Sequence, residues 1–370
     1  MNSRSLGRVL RCSECAVRTT GRGISIQQRT FSSSSIRQKH GAVPAFTEVS
    51  SSELQDLLTK VRERIFLPAH ISHGQRDLIF KPKHAKSLEV EPVTAIIAGE
   101  EFRLKNLSVL NDIPGRVKSL DKALKLMKEK RDWDNLPNLL QGLKTAGFQF
   151  GKYRPEVLLR RAGRAGRQDV ILECLRRADE TGLTLMDPSI VVQVFFWIQQ
   201  KAMASHWDAE ETKKALHWAE MVKEMMADPK QRTPEGSKSV AELHEVNGIL
   251  LELAAVRAAK HQGGKDADGK VEKYALDLLA SPRDFEVREE ASTGQNHWLA
   301  TNTPTVHGMK LAQTVLGPMS ELSVGLKEMC DELEHLLSQS RDELSEVPNK
   351  KGETRTGVRI YDELLGPDAS

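Results

Sequence analysis

Two stretches of helical sequence that end alike constrain this chain more than anything else in it. Thr145-Ala146-Gly147-Phe148 and Glu180-Thr181-Gly182-Leu183 close blocks whose glycines are 35 residues apart. At the same offset Asp134 falls on Asp169, Leu136 on Ile171, Leu140 on Leu175 and Phe150 on Leu185. A period of this length belongs to paired helices: no pair buries its apolar face alone, so neighbouring pairs stack around a shared core. The expectation is an all-α fold, an α-solenoid of antiparallel helix pairs over residues 116–228. Composition agrees, because aromatics make up only 5% and charged residues 28% of the chain, a balance of soluble helical proteins.

The formal net charge of +3 divides unevenly. Residues 1–40 hold eight Lys or Arg against one acid, Glu14, and a serine run from Ser32 to Ser35. Basic, Ser-rich and acid-poor is the composition of a mitochondrial transit peptide; Arg29-Thr30-Phe31-Ser32 resembles a matrix-protease cleavage pattern. The alternative is a basic arm that binds nucleic acid. Beyond residue 40 there are 46 basic and 50 acidic residues, a net charge of −4. Cys12 and Cys15 would leave with the leader, and Cys174 and Cys330 stand alone in helical segments as small buried hydrophobes. The most apolar run, Ile190 to Ile198, is too short for a membrane span and reads as a central buried helix. The localisation expected is the mitochondrial matrix, with inner-membrane association left open.

The remaining organisation follows from caps and breakers. Residues 41–115 form an N-terminal arm with one helix, Ser52 to Ile65, ended by Pro68; an extended stretch from His70 to Pro92; and a possible small β-hairpin around Gly99. Asp169, Asp187 and Asp208 are expected N-caps, and Gly147 and Gly182 expected C-terminal stops. Residues 238–340 form a C-terminal helical region in which 281–305 reads as a polar loop. Residues 341–370 read as a mostly disordered tail in which only Val358 to Leu365 docks.

No catalytic apparatus emerges, so no cofactor and no enzymatic activity are expected. Arg161 to Arg167 resembles a helicase arginine finger, but no phosphate loop on a strand accompanies it. Gly264 to Lys270 has phosphate-loop spacing, yet Val271 replaces the Ser or Thr that would hold magnesium. His70, His73 and His84 are spaced loosely, with no Cys and no His-Glu-x-x-His motif to complete a zinc site. The feature that rises above this background is basic. Between Lys152 and Arg167 six cations, Lys152, Arg154, Arg160, Arg161, Arg164 and Arg167, face one acid, Glu156. Spacings of four and three put Arg160, Arg164 and Arg167 on one helical face, a candidate contact for RNA phosphate. A solvated, salt-bridged face is the alternative, and no interleaved aromatics offer base stacking.

Residues 155–185 also resemble a pentatricopeptide repeat. Ala165-Gly166-Arg167 looks like the turn between its paired helices, and Gly182 stands 16 residues on, where that family ends its repeat. Leu143 to Phe148 closes a second such match. The resemblance implies an organellar protein that binds single-stranded RNA or sits on a mitochondrial ribosome. Glu156 and Met186 fall near the family's base-reading positions, where small polar residues are usual, and Ile171 replaces a usual small residue at the helix crossing. Together these readings lead us to expect a non-catalytic protein of mitochondrial gene expression whose partner is mitochondrial RNA or the ribosome. The alternative is a scaffold or assembly factor that binds a protein partner in a respiratory-chain or other mitochondrial complex.

Overall fold

A computed structural model describes residues 41–151, 154–228, 231, 240–285, 292–347 and 354–366. The transit-peptide expectation for residues 1–40 therefore lies outside the described residues.

The chain enters as an extended strap, residues 41–50, and then turns helical. Ser51 caps helix α1 (Ser52–Val61) by accepting from the Leu54 N–H, and Leu54, Leu58 and Val61 turn inward. The helix does not end before Pro68 as the sequence suggests. It widens into a π-turn, Arg62–Phe66, and runs on through α2 (Leu67–His70), whose second residue is Pro68. The following stretch is not extended either. Ser72 and Gln75 form a capping box for α3 (His73–Phe80), and α4 (Ala85–Val90) follows a short 3₁₀ turn. These helices are too short for the apolar periodicity that sequence reading relies on. The expected hairpin is present: β1 (Thr94–Ile97) pairs antiparallel with β2 (Glu100–Arg103) across Ala98-Gly99, both at positive φ.

The expected helix pairs begin with α5 (Arg116–Leu126), a single turn α6 (Lys130–Trp133) and α7 (Leu136–Thr145). The second comprises α8 (Arg154–Arg164), α9 (Gln168–Arg176) and the turn α10 (Ala178–Thr181). The third is α11 (Pro188–Ala204) with α12 (Ala209–Met226), capped by Asp187 and Asp208. Of the residues matched by the 35-residue offset, Leu136 and Ile171 and Leu140 and Leu175 are all inside, and Asp134 and Asp169 are both exposed, whereas Phe150 is only half-buried where Leu185 is buried. Gly147 and Gly166 take left-handed φ of 83° and 70°, which lets Phe148 and Arg167 donate back across six residues to Leu143 and Ala162. Asp169 does not cap α9 as expected. The N-cap position is Arg167, and the Asp169 carboxylate is engaged by its guanidinium.

The C-terminal part comprises α13 (His244–His261), α14 (Lys270–Leu279), α15 (Ser292–Leu316), α16 (Glu321–Glu346) and α17 (Thr356–Leu365). Helix α15 occupies most of what reads as a polar loop. Its Thr301, Asn302, Thr303 and Thr305 are buried, and the Thr301 and Thr303 hydroxyls donate to carbonyls one turn back. A polar sequence can thus be a core helix when most of its hydroxyls bond their own backbone, although the Thr305 hydroxyl has no hydrogen-bond partner among the described residues. Asn302 Oδ1 meets His244 Nε2 at 2.8 Å across the α13–α15 contact. Gly308 brings α15 against the Glu252 backbone, which a Cβ there would meet at 2.7 Å. Helix α17 docks on α15 through Val358, Ile360 and Leu364. No helix among the described residues is long and apolar enough to cross a membrane.

Candidate nucleic-acid interface

Helix α8 is amphipathic because Leu158, Leu159, Ala162 and Gly163 recur at helical spacing and are buried. Gly163 is required there: the Trp197 indole of α11 lies so close that a Cβ would sit 2.2 Å from it. Fixing that face against α11 fixes the opposite one. Arg160 and Arg164 are exposed and Arg161 is half-buried, one turn of helix carrying three guanidinium groups. Arg160 and Arg164 are separated by about 6 Å along the axis. None of the three has an ion pair or side-chain hydrogen bond among the described residues.

The rest of the basic run is placed differently. Lys152 lies outside the described residues. Arg154 donates through Nη1 to both carboxylate oxygens of Asp121, each at 2.8 Å, and so ties α8 to α5. Arg167 is not on the solvent face at all, since its side chain is only 6% exposed. It donates to Asp169 at 2.9 Å, to Asp134 at 2.5 Å and to the Lys130 carbonyl. The helical turn ends at Arg164, and the left-handed Gly166 swings Arg167 inward, so helical spacing no longer applies to it. Burial opposes the charge on Arg167, yet the Asp169 and Asp134 carboxylates outweigh it and hold the guanidinium above its ordinary value. Burial likewise raises Asp169, but the hydrogen bond and charge of Arg167 bring its carboxyl below the usual range.

Arg167 therefore joins one repeat to the next, and sequence reading missed two other cations that do the same. Lys144 donates to the Ala178 and Asp179 carbonyls, at 3.1 and 2.7 Å. Arg177 reaches Gln141 at 2.6 Å and Asn138 at 3.3 Å. The available signal was the pair Asp134 and Asp169, one carboxylate per repeat at the 35-residue offset with a cation between them. At the base-reading positions implied by the repeat resemblance, Glu156 accepts from the Ser189 hydroxyl at 3.1 Å and Met186 is exposed. The Glu156 carboxylate is thus already engaged within the fold, and the Met186 thioether is only a weak acceptor, so the pair differs from the small polar residues usual there.

An all-α chain whose first 40 residues are rich in arginine agrees with what comparison with known proteins finds. A family model described as mitochondrial ribosomal protein mS27 (Mrp13) matches residues 29–363. The chain belongs to the mS27 family. Small ribosomal subunit protein mS27 of Neurospora crassa is 35% identical to it over 190 residues, which cover 51% of this chain and 48% of that relative. The match thus spans about half the length of the curated relative. Membership in the mS27 family makes this a mitochondrial protein, as the basic, acid-poor composition of residues 1–40 led us to expect, and not an enzyme.

Proposed function

We propose that the protein is a structural component of the mitochondrial small ribosomal subunit that grips ribosomal RNA by its phosphates through Arg160, Arg161 and Arg164. The observation that carries the RNA contact is the contrast within one basic run. Arg154 and Arg167 are consumed by carboxylates, whereas these three project from a rigid helix with their charge unspent. Family membership supports the ribosome as the setting. Glu156 and Met186 favour backbone contact over base reading, so affinity is governed by charge more than by sequence.

The test is binding of the purified protein to a small-subunit ribosomal RNA fragment, followed by fluorescence anisotropy over a salt series. Three phosphate contacts give a log–log salt slope of about −2 to −3. Replacing Arg160, Arg161 and Arg164 by Glu removes that slope together with most of the affinity. An unchanged slope would exclude the stripe.

A protein-binding scaffold for a respiratory-chain or other mitochondrial complex is the second reading, favoured by the outer face of α16. Glu321, Glu328, Asp331 and Glu346 line that face, exposed and without ion pairs among the described residues. Sucrose-gradient sedimentation of mitochondrial extract with and without ribonuclease separates the two. Migration with the small subunit that ribonuclease abolishes supports the first, and migration with a respiratory intermediate that ribonuclease leaves intact supports the second.

A further inference from the structure

The connection from β2 to α5 exposes two adjacent aliphatic side chains, Val109 at 59% and Leu110 at 92%. A loose loop would fold such side chains away from water, but this loop is fastened on both flanks. Before the pair, the Leu107 N–H donates to the Ile79 carbonyl at 2.8 Å, and Asn106 Nδ2 donates to the Ile79 and Lys81 carbonyls at 2.9 and 3.1 Å. Across it, Asp112 Oδ2 accepts from the Ser108 N–H at 2.8 Å while the Asp112 N–H returns to the Ser108 carbonyl at 2.9 Å. Arg64 holds the far side, donating to the Asp112 carbonyl at 3.0 Å and lying 3.8 Å from its carboxylate. The turn is thus built to hold Val109 and Leu110 outward.

Along the chain from Arg103 to Lys118 the cations outnumber the acids four to one. Arg103 and Lys105 precede the turn, Arg116 and Lys118 follow it, and all four are exposed and unpaired among the described residues. The one acid between them, Asp112, is committed to Arg64 and to the turn.

We propose that Val109 and Leu110 are an anchor that inserts into an apolar pocket of a neighbouring protein whose rim is acidic. A prearranged aliphatic knob loses little conformational freedom on docking and gains by leaving water, the properties of a binding hot spot. Val109 and Leu110 offer no π-face to a base and no charge to a phosphate, so the knob favours an apolar protein pocket over RNA, and the four cations favour acidic groups at the pocket edge. This surface is separate from the α8 stripe, and the inference rests on the proposed function only for the assembly in which the partner is sought.

The experiment adds purified full-length chain to mitochondrial small subunits depleted of this protein and measures retention after a high-salt wash that screens the phosphate contacts. Wild type stays bound. Leu110→Asp is retained at least tenfold less, with an unchanged melting temperature showing that the fold is intact. In parallel, Leu110→Cys carries a benzophenone cross-linker in a chain whose Cys12 and Cys15 are replaced by Ser; Cys174 and Cys330 are buried and do not compete for the label. The expected adduct is with one protein of the subunit and survives ribonuclease. Equal retention of Leu110→Asp and wild type, or an adduct that ribonuclease destroys, overturns the anchor alone. A wild-type chain that never joins the subunit overturns the ribosomal reading and takes the anchor's partner with it.

Discussion

Arg167 and Arg164 stand three residues apart in one basic run, and the structure gives them opposite roles that a pair of substitutions separates. Arg167→Met keeps the aliphatic stem and removes the guanidinium. Asp134 and Asp169 then lose their shared cation, and the Lys130 carbonyl loses a donor. Breaking a fully buried pair from one side costs about 3–5 kcal/mol. Here the two carboxylates are 50% and 43% exposed and regain water once the cation is gone, so the expected loss is roughly 2 kcal/mol. That corresponds to a fall of roughly 4 °C in the unfolding midpoint. Arg164→Met removes an unpaired surface charge and stays within about 0.5 kcal/mol of wild type, while RNA affinity falls and the salt slope loses about one unit. Thermal unfolding by circular dichroism and RNA binding by anisotropy, measured on both variants, decide the matter. An Arg167→Met protein that melts like wild type but binds RNA more weakly would refute the assignment of Arg167 to repeat packing.

Two further outcomes follow from close contacts. Gly163→Ala drives a methyl group into the Trp197 ring and costs about 1–3 kcal/mol through overpacking, read as a lower urea midpoint with altered tryptophan emission; an unperturbed spectrum and midpoint would contradict the packing. Asp132 is buried and accepts from the Ser50 N–H and hydroxyl, both at 2.7 Å, and from the Lys128 and Glu129 N–H groups at 2.9 Å. Burial raises its carboxyl, but these donors together hold it below the usual value of 3.8. A lowered folded pKa means that the contribution is present above that value and is lost as pH falls through the folded one. Limited proteolysis should therefore cut within residues 41–50 in strong acid, with Asp132→Ala showing the same cleavage at neutral pH and wild type resisting it there.

What the sequence makes legible here depends on how local the determining contacts are. Gly147, Gly182, Asp187, Asp208 and the Ala98-Gly99 turn act within a few residues, and each appears where reading predicts it. The buried threonines of α15 depend on α13 packing across from them, information that no window around residue 300 contains. The basic run fails in part for a related reason. Arg160 and Arg167 are chemically identical, and only the turn at Gly166 and the carboxylates of two repeats distinguish a free cation from a buried one. Hydrogen-bonded turns that hold apolar residues outward, such as Ser108 to Asp112, leave no mark in composition. Leu110 looks like any core leucine until its exposure is seen.

The strap at residues 41–50 has a consequence for how the chain acquires its shape. It is held by Thr47 to Asn135, Ser50 to Asp132 and Ala45 to Asn138, contacts that span 88, 82 and 93 residues. Synthesis delivers the strap before its docking site, so at ordinary elongation rates the strap precedes Asn138 by roughly 4–18 s. During that interval its backbone donors and acceptors have only water. The first helix pair can close as soon as its own residues are present, but the strap that seals its outer side is a late addition, and anything that holds the N-terminus in the meantime delays that seal alone.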